Sequence, residues 1–477
     1  ITAKVPYTVK FASNGKLMDS TLVADTCTYH WNSAHPVATY LTVMTSKVNY
    51  KLDIRYWHKL SNQNDSIPLR FYFNAGEDPS YIESILPGMT TYFSQNFIEH
   101  PFQKNGFATL NNQFPWGGME NQTLTSICPG CWEESLCAHE YAHQWFGDMI
   151  TCSTWADIWL NEGFATWSEA FWQEHNGGFP AYQSDMNNYA ATYFQSNAGW
   201  AISDSSWANN TPNVNILFVY SITYCKGACV LYMVRSTIGD SLFFATMQAY
   251  CADTNLKFKS ATIGDFNAKV NLITGKDYNW FFNQWIYKPN HPHYINTYSF
   301  HQEFGGAWNT DFMTKQIQTN APFFQMPMDI KIHFQDNTDT VITVMNTANY
   351  QLFSWNFAKR PLSLTFDPSN KIILKEASTV LGIDPRDEQM TGIHLFQNIP
   401  NPAPEKTTIV YEIDQPMQVK LEILDILGKS LFSQTDRFQS AGKYSETVDC
   451  SSLANGIYYY RLQAGRESRT MKMIISR

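Results

Sequence analysis

Two hydrophobic patterns divide the chain. Beyond about residue 298, apolar and polar residues alternate in short runs such as Ile330-Lys331-Ile332-His333-Phe334 and Val341-Ile342-Thr343-Val344, broken by Asn, Asp and Pro. A strand points successive side chains to opposite faces, so this period of two predicts strands, and residues 323–374 fit a small β-sandwich. A second β module is expected from Phe396 onward, with strands over 409–413, 419–426 and 456–462 and a last one ending Lys472-Met473-Ile474-Ile475-Ser476-Arg477. Its lead-in, Asn398-Ile399-Pro400-Asn401-Pro402, is stiff, because each proline fixes its own backbone and biases its predecessor toward extended conformations. Sustained helical periodicity does not occur after residue 300. Before it, the apolar run 216–234 is interrupted by Lys226 and Gly227 and reads as a buried helix rather than a membrane span.

The chemistry-bearing residues all lie in the first part of the chain. In His139-Glu140-Tyr141-Ala142-His143 the histidines are four apart, on one face of a helix, where both imidazoles can converge on one metal ion. Glu140 leans over the same place. Downstream stands Asn161-Glu162-Gly163-Phe164-Ala165, whose Glu162, separated from His143 by eighteen residues, would complete a set of two imidazoles and one carboxylate. Three protein ligands leave the fourth tetrahedral position of Zn²⁺ open to water, the arrangement of a hydrolytic centre. Two further segments supply parts a metal cannot. In Gly117-Gly118-Met119-Glu120-Asn121 a carboxylate sits in a glycine-flanked extended stretch, suited to close approach to a peptide backbone and to pairing with a protonated α-amine. In Tyr224-Cys225-Lys226-Gly227 a phenol is available to donate to an oxyanion.

Taken in chain order, Gly117 to Asn121, then His139 to Trp145, then Asp157 to Ala165, then Tyr224 to Gly227, the four motifs resemble the gluzincin metallo-aminopeptidases typified by aminopeptidase N and the leukotriene hydrolases. Weaker similarity runs on through Phe281-Phe282-Asn283-Gln284-Trp285-Ile286. The resemblance implies that His139, His143 and Glu162 hold one catalytic Zn²⁺, that Glu140 is the general base and that Tyr224 stabilises the oxyanion. It also implies that Glu120 anchors the substrate's N-terminal amine within the motif Gly117, Gly118, Met119 and Asn121. Glu169, two helical turns beyond Glu162, would support a zinc-binding histidine from behind. The C-terminal module resembles the sorting domain of the type IX secretion pathway of Bacteroidota, through the Pro-Asn-Pro lead-in, Leu427-Gly428-Lys429, Leu453-Ala454-Asn455-Gly456-Ile457-Tyr458 and the Lys-Met-Ile-Ile ending.

The expected architecture is multidomain: a remnant N-terminal β-domain over 1–72, a thermolysin-like, mostly α zinc peptidase domain over 73–297, a β-sandwich over 298–389, and a C-terminal immunoglobulin-like β-sandwich for sorting over 390–477. At 477 residues the chain exceeds one hydrophobic core. The opening stretch, with Ser13-Asn14-Gly15, resembles the later part of the family's N-terminal domain, so the chain reads as a fragment of a longer precursor. A net charge of -9 offers no footprint for nucleic acid. Among nine cysteines, Cys128 and Cys131 look like half a zinc ribbon without its second pair, so a disulfide joining two of Cys128, Cys131, Cys137 and Cys152 is the better expectation. Cys225 and Cys229 read as packed thiols.

These readings predict a zinc aminopeptidase that removes N-terminal residues from peptides. It would act at the cell surface or outside the cell after export across the outer membrane, partnered by the secretion machinery through its C-terminal domain. The competing readings are a zinc endopeptidase with an open cleft and a catalytically inactive peptide-binding surface protein.

Overall fold

The computed structural model describes residues 1–303, 305–382, 393–413, 416–465 and 467–477. The expected limit at 389/390 falls outside the described residues. The chain forms two compact units, the first made of Ile1–Ile295, Lys315–Asn349 and Leu362–Ser378, the second of Asn296–Thr314, Tyr350–Pro361 and Thr379–Arg477.

In the first unit the opening residues are strands and turns with one short 3-10 helix, Thr39–Leu41. A five-stranded sheet then runs in the order Lys51–His58, Ser66–Phe73, Asn105–Thr109, Thr125–Ile127, Gly118–Met119. The opening strands share a core with it: Phe11, Trp31 and Val43 cluster with Tyr72, Ala108 and Leu124. The loop Ser13-Asn14-Gly15 also bonds to the segment just after the glycine-rich motif. Asn14 Nδ2 donates to the Gln122 carbonyl at 2.7 Å, and the Gly15 N–H donates to Thr123 Oγ1 at 2.7 Å.

Three helices carry the centre of this unit: α1 (Ser80–Asn96), α2 (Glu134–Ala142) and α3 (Trp159–Gln195). They meet through aromatic rings. Phe93 of α1 lies 5.9 Å, edge to face, from Trp145 and stacks at 6.4 Å on Phe171 of α3. Phe93, Trp145, Trp167 and Phe171 are essentially excluded from water, and each such burial contributes about 1.5–3 kcal/mol. At Gly178 (φ 69°, ψ -173°), two residues before Pro180, α3 breaks into two limbs. Trp167 Nε1 of the first limb donates to the Tyr182 hydroxyl of the second at 2.8 Å, which ties the limbs together.

The apolar run over 216–234 is helical but not one regular helix. A short turn Val214–Leu217 precedes a π-helical segment Tyr220–Lys226, and only then does an α-helix Gly227–Ile238 follow. The whole stretch Val214–Ile238 is long and apolar enough to cross a membrane, and most of its apolar window is buried within the protein, as in a core helix.

The alternating pattern is realised as strands. Asp339–Asn346, Met326–Phe334 and Pro361–Phe366 form one sheet, and Gln351–Phe357, Trp308–Gln316, His293–Gln302 and Glu376–Leu381 form another. In the second unit the C-terminal strands make two sheets, in the orders Ile393–Leu395, Lys406–Ile413, Gly442–Asp449 and Ser430–Gln439, Met417–Leu424, Gly456–Ala464, Glu467–Ile475. Both contribute to one apolar core, with Ile409, Tyr411 and Val448 from one and Leu421, Tyr460 and Met473 from the other. Ile393–Leu395 precedes the expected start of the module at Phe396, and two more of these strands, Ser430–Gln439 and Gly442–Asp449, are not expected from the sequence pattern either. Most positions of Ser430–Gln439 face solvent, and Leu431 and Phe438 are exposed, so it carries no apolar alternation to read.

Candidate metal centre and active site

Helix α2 presents His139 and Glu140 from its last turn, and His143 caps it while still in helical geometry. All three are buried, at 9%, 5% and 1% relative exposure. Burial of so many polar groups requires that their hydrogen bonds be accounted for.

The Nδ1 atoms settle the orientation of both rings. His143 Nδ1 lies 2.9 Å from the Phe146 carbonyl, which can only accept, so Nδ1 carries the proton and Nε2 a lone pair. His139 Nδ1 lies 2.8 Å from Glu169 Oε1, and the Tyr189 hydroxyl donates to Glu169 Oε2 at 2.9 Å. The same tautomer follows for His139. Gly147 makes the turn after α2 possible. Its φ is +135°, and a Cβ there would come within 3.1 Å of His143 Nδ1.

The lone pairs then face each other. The two Nε2 atoms are 3.2 Å apart, and Glu162 Oε2 lies 3.4 Å from that of His139 and 3.6 Å from that of His143. Three acceptors in a buried triangle repel unless a cation sits among them. Tetrahedral ligands about 2.0–2.1 Å from a zinc ion are separated by roughly 3.3–3.4 Å, the spacing found here, so these residues fit Zn²⁺. The electrostatics make the same demand. Burial would lower the His139 imidazole, but Glu162 and Glu169 hold it well above its usual value. Burial likewise opposes, and Glu120 and Glu162 overcome, for His143, which is raised to about 9. Against burial, Glu162 is held down to about 2 by its hydrogen bonds to His139 and His143.

Glu140 stands beside this triangle. Burial pushes its carboxyl up to about 8, with His139 and His143 pulling the other way, and Oε2 is buried without a hydrogen-bond partner. One side of it is set by the glycine-rich motif, because a Cβ on Gly118 would lie 2.3 Å from Glu140 Oε1. That glycine is required by the approach of the carboxylate. Gly118–Met119 is the last strand of its sheet, paired antiparallel with Thr125–Ile127. The Gly117 carbonyl accepts from Cys128 N–H at 2.9 Å, and Asn121 Oδ1 accepts from the Ser126 hydroxyl at 2.8 Å. A disulfide between Cys128 and Cys131 closes the turn from this strand pair into α2, while Cys137, Cys152, Cys225 and Cys229 are free. Glu120 is buried, its carboxyl raised chiefly by that burial, and it groups with Glu140 and His143 with ligand atoms within 4.8 Å of one another.

Tyr224 is carried by the π-helical segment, a distortion frequent at functional sites. Its ring stacks 6.0 Å from that of His139. Burial raises the phenol far above its usual value, with Glu162, Glu120 and Glu140 adding to the effect, so the hydroxyl keeps its proton at neutral pH.

All the residues singled out in the sequence are thus brought together: His139, Glu140, His143, Glu162, Glu169, Glu120 and Tyr224. Others are visible only in the fold. Tyr40, from the short 3-10 helix Thr39–Leu41, accepts a hydrogen bond from Asn161 Nδ2 at 3.2 Å, and its phenol is raised first by burial and then by the Glu120 charge. Asp148 is buried behind the centre, its carboxyl held well above the usual range by burial and by Glu120 and Glu140. Neither sits in a motif, and only chain folding reveals them.

Comparison with known proteins gives the following. Residues 83–285 match the Peptidase family M1 domain, and residues 398–476 the secretion system C-terminal sorting domain. Aminopeptidase 2 of Candida albicans is 29% identical over 221 residues, covering 42% of this chain and 23% of that protein. The chain therefore spans about a quarter of that relative's length. Among solved structures, Legionella pneumophila aminopeptidase A in complex with aspartic acid superposes with a TM-score of 0.62 at 17% identity, over 77% of this chain and 43% of that one. An M1 zinc metallopeptidase from Deinococcus radiodurans gives 0.50 at 23% identity, over 60% of this chain and 62% of that one. These two likenesses concern the fold. The helical centre with its glycine-rich edge strand thus matches the peptidase family M1 domain, and the final two-sheet module matches the secretion system C-terminal sorting domain.

Proposed function

We propose that the protein is a zinc aminopeptidase, exported by means of its sorting domain, that removes single residues from the N-terminus of peptides outside the cell or at its surface. The observation that carries the reading is the buried triangle of His139 Nε2, His143 Nε2 and Glu162 Oε2, with Glu140 and Glu120 beside it. One Zn²⁺ held there supplies a Lewis acid that lowers the pKa of a water molecule toward about 7 and polarises the scissile carbonyl.

The chain's own groups do the rest. Glu120 pairs with the protonated α-amine and so sets which carbonyl reaches the centre. Gly118–Met119 lies at the edge of its sheet, where an extended peptide adds as a further strand. Glu140 takes the proton from the attacking water and returns it to the departing amine, a task that suits a carboxylate whose pKa burial has moved toward neutrality. The Tyr224 hydroxyl donates to the carbonyl oxygen as negative charge builds on it, a contact that strengthens in the transition state. Glu169 keeps His139 in the tautomer that presents Nε2.

In this reading the domains run 1–72, 73–297, 298–389 and 390–477, with chemistry confined to the second and export to the last. Support for export comes from the sorting-domain match. The zinc assignment is tested by elemental analysis of wild type and His143→Ala. One equivalent in the former and loss in the latter is expected; no zinc in wild type, or the same content in both, contradicts it.

A further inference from the structure

Between the two limbs of α3 lies an open cavity of about 610 Å³ that none of the steps above uses. Glu134 comes from the start of α2, Glu169 from the first limb, Asp185, Asn188 and Tyr189 from the second, and Tyr220 from the π-helical segment. Its place relative to the metal centre is set by shared residues. Glu169 bonds to His139 with one oxygen and lines the cavity, and the Tyr220 ring lies 5.6 Å from that of Tyr224, which in turn stacks on His139. The cavity thus opens on the His139 side, whereas Glu120 groups with Glu140 and His143. A peptide with its amine at Glu120 and its first carbonyl at the metal centre would leave the residues after the cleaved bond on the side away from Glu120, which is the side of His139.

The lining is one-signed. Three carboxylates face the cavity, and no Lys, Arg or His is among the residues that line it. Two of the three already hold hydrogen bonds, and those to Glu134 come from uncharged donors, which leave its charge in place. Glu134 accepts from the Tyr81 hydroxyl, Trp172 Nε1 and Asn176 Nδ2, and Glu169 from His139 and Tyr189. Asp185 differs. It is half-buried, burial and the Glu169 charge push its carboxyl up, and among the described residues no hydrogen bond or ion pair engages it. A concave site lined by one sign of charge focuses the field and favours a ligand group of the opposite sign. The tyrosines add polarisable faces to which an ammonium or guanidinium is drawn.

We propose that this cavity is the subsite for a basic side chain, Lys or Arg, in the peptide portion that follows the cleaved bond, with Asp185 as its ion-pair partner. The inference rests on the aminopeptidase reading and deepens it, naming the class of peptide the site prefers. It makes Asp185 a specificity residue, acting on the substrate and not on the reacting atoms.

The test uses tripeptides X-Lys-Ala, X-Arg-Ala, X-Leu-Ala and X-Glu-Ala, with X fixed as the residue turned over fastest among aminoacyl p-nitroanilides. For the full chain loaded with zinc, kcat/KM should favour Lys and Arg over Leu by on the order of tenfold, with Glu poorest. The advantage should shrink as salt is raised. Asp185→Asn, close in shape, should bring the Lys-to-Leu ratio near one, and Asp185→Lys should turn the preference toward Glu. A wild-type ratio near one, or a ratio unchanged in Asp185→Asn when thermal melting shows both variants folded, overturns the proposal. Failure to cleave any p-nitroanilide refutes the aminopeptidase reading and this inference with it, whereas cleavage without a basic preference refutes this inference alone.

Discussion

The helical centre and the C-terminal module bury very different things. Around α2 and the first turn of α3, Glu120, Glu140, His139, His143, Asp148 and Glu162 are all buried within one small region. In the C-terminal module the core is apolar, built of residues such as Ile409, Val419, Leu421, Ile423 and Leu462. Among its described residues one carboxylate, Glu422, is buried; it is answered by Arg461 at 2.9 Å and Lys420 at 3.0 Å, and they and Ser430 hold it down to about 2. The polar groups there also serve the fold. Asn398 N–H donates to the Tyr460 hydroxyl at 3.0 Å, and its amide donates to the Pro400 carbonyl and to Thr407 Oγ1, which locks the proline-rich lead-in onto the module. Buried charge left without a countercharge costs stability, and a protein retains it where it acts on something outside its own chain. One region is organised to act, the other to stay folded.

The widest separation between the two regions is expected at the base. Glu140→Gln keeps every ligand atom and removes the proton acceptor, so zinc content should hold while kcat falls by on the order of 10³-fold or more. Gly118→Ala reaches the same group from the other side, since its Cβ would overlap Glu140 Oε1; kcat should drop with zinc retained, and a normal kcat would show that the carboxylate position does not matter. Next in size is Tyr224→Phe, expected to lower kcat by about 10²-fold, the usual loss for one oxyanion donor. An unchanged kcat would remove Tyr224 from the chemistry. The smallest effect on activity belongs to the other region. Asn398→Ala should cost the C-terminal module about 1–3 kcal/mol, because it strips the side-chain amide from the Pro400 carbonyl and Thr407 Oγ1 while the backbone N–H keeps its bond to Tyr460. Export from the native host should suffer, while kcat/KM of the purified protein stays at the wild-type value. A large loss of kcat/KM in a folded Asn398→Ala protein would erase the division of labour.

How much of this was legible in the sequence follows the same line. The ligand set is local in character: His139 and His143 share a helix face by spacing alone, and Glu162 and Glu169 share another. Strands such as Met326–Phe334 and Gly456–Ala464 were legible because one face is buried and the alternation survives in the letters. Ser430–Gln439 was not, since a strand with few buried positions leaves no pattern. Contacts made by chain folding were also out of reach. Nothing marks Tyr40 as a neighbour of Asn161, Tyr189 as the partner of Glu169, or the π-helical segment that carries Tyr224, because each depends on where another element comes to lie. The glycines fall between these cases. The sequence suggested that Gly118 allows close approach to a substrate backbone, and the structure adds that it also makes room for Glu140.

The central claim is that a buried acidic anchor beside a metal centre turns a peptidase into one that reads free N-termini, and it is tested most directly by a matched pair of substrates. The zinc-loaded full chain should be given an aminoacyl chromogenic substrate and its N-acetylated counterpart at equal concentration. Turnover of the free amine with loss of essentially all turnover on acetylation is the predicted result, because Glu120 then has no ammonium to hold. Comparable hydrolysis of the two, or internal cleavage of blocked peptides at a similar rate, would contradict it and point to an endopeptidase.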